Sequence, residues 1–165
     1  PGTVMTMVDQ PVRILAVCMG NICRSPTAEA AIREAAATRG MAVEVDSAGT
    51  GAWHAGEAPD ARMTEAAQSM GLRLAGRARQ VRREDFATFD LIVAMDHRNR
   101  RDLLEMAPDA ATAAKVRLFR SFDPQASGLD VPDPYYGGEQ GFREVVTMVM
   151  AAARGLVASL EADRW

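Results

Sequence analysis

A thiol, a guanidinium and a hydroxyl lie together in the segment Cys18-Met19-Gly20-Asn21-Ile22-Cys23-Arg24-Ser25. Those groups, at that spacing, suit nucleophilic attack on a tetrahedral phosphate. A loop whose successive backbone N–H groups point inward forms a nest for an oxyanion, and a helix beginning just beyond it adds the positive end of its dipole. Gly20 allows close approach of the backbone. Arg24 offers a planar, permanently charged fork to two phosphate oxygens, a geometry that lysine does not reproduce. The same donors lower the pKa of a nearby cysteine, so Cys18 becomes a nucleophile without a histidine base. Ser25 can donate its hydroxyl to the Cys18 sulfur and stabilise it as nucleophile and as leaving group. Side chains of Asn21 and Ser47 can brace the loop. The phosphate-binding set is thus Met19, Gly20, Asn21, Ile22, Cys23, Arg24 and Ser25.

Ester hydrolysis also needs a proton for the leaving oxygen and then a base for water, and one carboxyl group can serve both. Asp133 stands in a long loop at the expected end of the sheet, and Pro134 stiffens it. Asp123 and Asp130 share that loop, and the residues alone do not choose among the three. Ile22, Trp53, Tyr135 and Tyr136 supply apolar and aromatic surface for a cleft that accepts an aromatic ester.

These groups need a scaffold that brings loops to one edge. Val12 to Val17 is a short apolar run rich in β-branched residues, which reads as a buried parallel strand. Ser25-Pro26 opens a helix to Arg39, with Ser25 as N-cap, Pro26 at the first helical position and Gly40 as the stop. Val43 to Asp46 reads as a second strand, closed by a turn over 47–51. Helices are expected over Asp60–Met70 and Arg82–Ala87. A third strand runs Asp90–Met95, and Asp96 caps a helix over His97–Met106. A short strand follows at Val116–Phe119, then a Pro-, Gly- and Asp-rich loop over Arg120–Gly141, then a closing helix over Phe142–Leu160. Alternating strands and helices predict a three-layer α/β sandwich. Its central four-stranded sheet is mostly parallel and doubly wound, with the phosphate loop after the first strand.

The segment VCMGNICRSP resembles the phosphate-loop signature of the low-molecular-weight protein-tyrosine phosphatases at every defining position. The resemblance extends through Asp46-Ser47-Ala48-Gly49-Thr50, Ala94-Met95-Asp96 and Asp133-Pro134-Tyr135-Tyr136. It implies cysteine-based hydrolysis of protein phosphotyrosine, with Asp133 as the acid and no cofactor. Members acting on phosphoarginine carry Thr at the position of Ile22 and Phe at that of Tyr135, so Ile22 favours phosphotyrosine. The residues leave Cys23 open as a structural thiol or as a trap for oxidised Cys18; the resemblance implies the trap, a disulfide that prevents over-oxidation. A thiol-linked arsenate reductase resembles the same loop but requires further cysteines, and none follows Cys23.

Composition narrows the rest. A chain of 165 residues with 48% hydrophobic and 25% charged residues is expected to form one ordinary globular domain. That domain spans 12–165, and 1–11 read as a flexible N-terminus or an expression scar. A net charge of −3 offers no footprint for nucleic acid. No apolar run reaches membrane-spanning length, and residues 1–10 lack the pattern of a secretory signal. With two cysteines, a reducing cytoplasm is expected, export by a signal-free route remaining open. Heavy use of Ala and Arg beside a single Lys115 points to a high-GC bacterial genome. His54 and His97 have no metal-ligand spacing and are assigned no role. Arg73, Arg77, Arg79, Arg82 and Arg83 form a basic stretch that reads as a solvated face rather than a phosphopeptide dock. Expected partners are a tyrosine-phosphorylated protein and a tyrosine kinase acting on Tyr135 or Tyr136.

Overall fold

The apolar alternation of the first strand sets the layers. In the computed structural model, which describes residues 10–134 and 138–165, β1 runs Val12–Cys18 and is buried from Ile14 onward on both faces. Ile14, Ala16 and Cys18 face one core, Leu15 and Val17 the other. A strand with no wet face must sit in the middle of a covered parallel sheet. It does: the strand order is β2-β1-β3-β4, all pairs parallel, with β2 at Val43–Gly49, β3 at Leu91–Ala94 and β4 at Val116–Leu118.

Helices cover both faces. On one side lie α1 (Arg24–Thr38), α2 (Ala61–Ser69) and the 23-residue α6 (Glu139–Glu161), which contribute Ile32, Met63, Val149 and Leu156 to the larger core. On the other lie α3 (Asp85–Thr88) and α4 (His97–Met106), with Phe86 and Leu103 fully buried in the smaller one. The chain leaves β1 towards β2 and returns across it to β3. The C-terminal ends of β1 and β3 therefore flank the switch point where α/β sheets bind ligands.

Several boundaries differ from expectation for local physical reasons. The segment Ser47-Ala48-Gly49 continues β2 instead of turning, because its backbone pairs with Ala16-Val17-Cys18. A Cβ at Gly49 would stand 2.7 Å from the Met19 carbonyl oxygen, so glycine here serves close approach and not a bend. Ser25 is not the cap of α1. The helix begins at Arg24, Cys23 takes the N-cap position without a side-chain bond, and the Ser25 hydroxyl turns inward. The Asp96 cap and the span His97–Met106 match the sequence reading, and Asp96 accepts from the Asn99 amide. A short helix α5, Ala110–Ala113, was not anticipated although Asp109 and Thr112 make a capping box. The last strand ends early in a 3-10 turn, Phe119–Phe122, and α6 starts three residues before the apolar pattern does. The expected N-terminal tail lies outside the described residues up to position 9. Among the described residues, no helix is long and apolar enough to cross a membrane.

The long helix α6 packs its Gly155 against the 3-10 turn, where a Cβ would overlap the carbonyl of Phe122. Backbone cannot yield there as a side-chain end would. Gly155→Ala is therefore expected to destabilise the fold by roughly 1–3 kcal/mol, against the ~1 kcal/mol that alanine gains over glycine within a helix. Urea unfolding midpoints measure it, and an unchanged or raised midpoint would contradict this packing.

Candidate active site

The loop between β1 and α1 is held open from outside by its own carbonyls. The Cys18 carbonyl accepts from Thr50 N at 2.9 Å and that of Met19 from Gly51 N at 3.0 Å. Ile22 O accepts from Asp60 N at 2.8 Å, and Cys23 O from the Thr27 hydroxyl at 2.8 Å. Bracing through carbonyls turns loop amides towards the concave side, where an anion would sit. Asn21 adopts a left-handed φ of 59°, and its amide points at the Cys18 sulfur, 3.2 Å away. Asn tolerates that region better than most side chains.

Around the sulfur a polar chain runs outward with a defined direction. Asn21 Oδ1 accepts from Arg79 N at 2.9 Å, which fixes its Nδ2 as a double donor to Ser25 Oγ at 2.8 Å and Ser47 Oγ at 3.0 Å. Ser47 donates its own hydroxyl hydrogen bond to Glu29 Oε1 at 2.7 Å. Asn21 fills one lone pair of Ser25 Oγ, and the hydroxyl lies 3.0 Å from Cys18 Sγ and 3.5 Å from Ala48 O, so it can donate to the sulfur as the nearer acceptor. The arrangement suits a sulfur carrying negative charge. Asn21, Ser25 and Ser47 are among the residues singled out from sequence; Glu29, which orients the chain, is not.

Arg24 is 3% exposed, and its Nη1 donates to Asp96 Oδ2 at 2.7 Å and to Val131 O at 3.0 Å. Burial works against its charge, but the Cys18 sulfur and Asp96 outweigh it and hold the pKa above the ordinary guanidinium value. Its Nη2 lies 3.8 Å from Asp133 Oδ2. Asp133 is exposed at the rim, so thiol, fork and carboxyl meet in one cleft of about 450 Å³. Met19, Gly20, Ile22, Cys23, Trp53 and His54 also line it.

Trp53, 73% exposed, forms one wall of the cleft, and Ile22, a residue of the loop itself, is buried in the larger core and presents only its remaining edge to the cleft. The expected contributions of Tyr135 and Tyr136 lie outside the described residues. His54, assigned no role from sequence, stands in the cleft: its ring edge packs over Gly20 and its Nδ1 meets Glu57 Oε2 at 3.0 Å. Its neighbour Trp53 was the available signal. The basic stretch is not uniformly a solvated face either. Arg73, Arg77, Arg82 and Arg83 are exposed, but Arg79 spans Asp85 at 2.9 Å and Asp46 at 3.1 Å while its amide orients Asn21. Asp96, read only as a helix cap, also holds the Arg24 guanidinium. Among the described residues, no group of three or more His, Cys, Asp or Glu is placed to hold a metal ion.

A family model described as low molecular weight phosphotyrosine protein phosphatase matches residues 13–165. The chain is 49% identical to a low molecular weight protein-tyrosine-phosphatase of Streptomyces coelicolor, over 90% of this chain and 93% of that one. It is 42% identical to low molecular weight protein-tyrosine phosphatase A of Mycobacterium tuberculosis, over 90% and 91%. A crystal structure of a protein tyrosine phosphatase from Entamoeba histolytica, with Hepes in the active site, superposes with a TM-score of 0.91 at 36% identity. That match covers 93% of this chain and 99% of that one.

Cys23 is buried, and desolvation, assisted by Asp60, the Cys18 sulfur and Asp133, pushes its thiol pKa up from 9.0 to about 12. The folded thiol keeps its proton where the unfolded one releases it, so this group's stabilising contribution is lost as pH rises from 9.0 towards 12. Near neutral pH, iodoacetamide is expected to leave Cys23 unmodified in the native protein, as read by peptide mass spectrometry. Rapid native-state alkylation of Cys23 would contradict the shift.

Proposed function

The chain belongs to the low molecular weight phosphotyrosine protein phosphatase family, and from that premise we propose that Cys18, Arg24 and Asp133 carry its hydrolysis of protein phosphotyrosine. The observation that supports this assignment best is convergence: a sulfur within hydrogen-bond distance of the Ser25 hydroxyl and the Asn21 amide, a buried fork and a rim carboxyl share one cleft. The phosphoryl group enters the loop with its equatorial oxygens on loop amides and Arg24, and the Cys18 thiolate attacks phosphorus in line. Asp133 protonates the departing phenolic oxygen. Water then attacks the phosphocysteine, with Asp133 now accepting its proton and Ser25 stabilising the returning thiolate.

Depth supports an aromatic ester. The Cys18 sulfur belongs to a residue 2% exposed, at the floor of the cleft. A phosphate on a long aromatic stem can reach it while the ring rests against Ile22 and Trp53, which favours phosphotyrosine over the shorter stem of phosphoserine. The substrate is thus a tyrosine-phosphorylated protein. A tyrosine kinase acting on Tyr135 or Tyr136, a signalling role, bacterial origin and a cytoplasmic site of action belong to the same proposal on sequence grounds. So does the Cys18–Cys23 disulfide, whose formation the raised Cys23 pKa slows, since the thiolate is the attacking form.

With chelator present, Cys18→Ser is expected to abolish turnover of a phosphotyrosine peptide while retaining competitive binding of inorganic phosphate. Asp133→Ala is expected to lower kcat by roughly 10²–10⁴-fold on poor leaving groups and to accumulate phosphoenzyme on good ones. Substantial turnover by Cys18→Ser would contradict the mechanism, and a preference for phosphoarginine over phosphotyrosine would overturn the reading of Ile22.

A further inference from the structure

The acid-bearing loop is fastened to the N-terminus of α4 by contacts that the mechanism above does not use. Asp130, three residues before Asp133, accepts from His97 N at 3.0 Å, and its Oδ1 lies 2.5 Å from His97 Nδ1. Its own carbonyl accepts from Arg120 Nη1 at 2.7 Å, and the next residue, Val131, donates its amide to Met95 O at 2.7 Å. Val131 O then receives Arg24 Nη1. Only Pro132 separates this clamp from Asp133, so little rotational freedom lies between the fixed point and the carboxyl.

The same helix end has two carboxylates on it. Asp96 accepts from the Asn99 amide and grips Arg24, while Asp130 accepts from the His97 amide and belongs to the acid loop. Both use unsatisfied N–H groups of the first helical turn, where negative charge is favoured. One rigid element therefore references the phosphate fork and the acid to each other.

The geometry points to His97 and Asp130 as positioning residues for the proposed general acid, a latch that sets the distance between Asp133 and the leaving oxygen. This rests on the assignment of Asp133 made above. Both side chains are more than half exposed, so the pair adds little to overall stability. Its effect lies in loop placement, to which proton transfer is sensitive.

The test is the dependence of kcat/KM on leaving-group acidity across aryl phosphates, from phenyl to p-nitrophenyl. This ratio reports steps up to cysteine phosphorylation, where the acid acts. Asp130→Ala removes an acceptor of capping strength, which corresponds to roughly a five- to tenfold loss on phenyl phosphate. Little loss is expected on p-nitrophenyl phosphate, whose phenolate leaves without a proton. Inhibition by inorganic phosphate is expected to be unchanged, which separates a displaced acid from a damaged phosphate loop. His97→Ala follows the same pattern more weakly, and His97→Arg, which keeps a donor for Asp130, restores the wild-type slope. A wild-type slope in Asp130→Ala beside a steepened slope in Asp133→Asn overturns the latch. A wild-type slope in Asp133→Asn overturns the acid assignment and the latch with it.

Discussion

A buried guanidinium ties the molecule's working parts together. Arg24 leaves the loop after β1, reaches Asp96 at the end of β3 and Val131 in the acid loop, and lies within 3.8 Å of Asp133. A charge 3% exposed is unfavourable unless each face of it is met. The carboxylate and carbonyl that meet it come from segments far apart in sequence, so satisfying Arg24 brings the acid loop and the strand ends into register. The side of the fork towards Cys18 is where a phosphate's oxygens would complete the set.

The doubly wound sheet makes this possible. Because β2 and β3 flank β1 on opposite sides, the helices that follow β1 and β3 lie on opposite faces, and their N-termini converge at one edge. The strand core beneath is dry on both faces. Such a core resists displacement, because close-packed interiors do not deform smoothly. The site's loops stand on that base, each fixed by carbonyl bonds to a neighbouring segment.

Much of the site is legible in sequence because it is contiguous. Thiol, loop, guanidinium and hydroxyl stand within one turn of chain, and a strand before them and a helix after fix their setting. Asp96 as a cap and the boundaries of α4 are local features and read correctly for the same reason. What escaped depends on residues brought together from a distance. Asp96 meets Arg24 across 72 positions, Ser47 meets Glu29 across 18, and the His54 ring covers Gly20. Ser25 misled in the opposite way: its position looks like a cap, but the sulfur competes for its hydroxyl and the helix starts two residues earlier than expected, at Arg24. Gly49 misled because a glycine needed for close approach looks the same as one needed for a turn. The missed α5 had its capping box in plain view, but with no apolar period to announce a helix.

The central claim is that the phosphoryl group passes through the Cys18 sulfur. Its most direct test is acid quench of the enzyme during turnover of a phosphotyrosine substrate, followed by peptide mapping of covalent phosphate by mass spectrometry. The account predicts phosphate on the peptide containing Cys18, with the Cys18 thiol as the modified atom. Covalent phosphate on another side chain, or turnover with no covalent phosphate at any quench time, would contradict it.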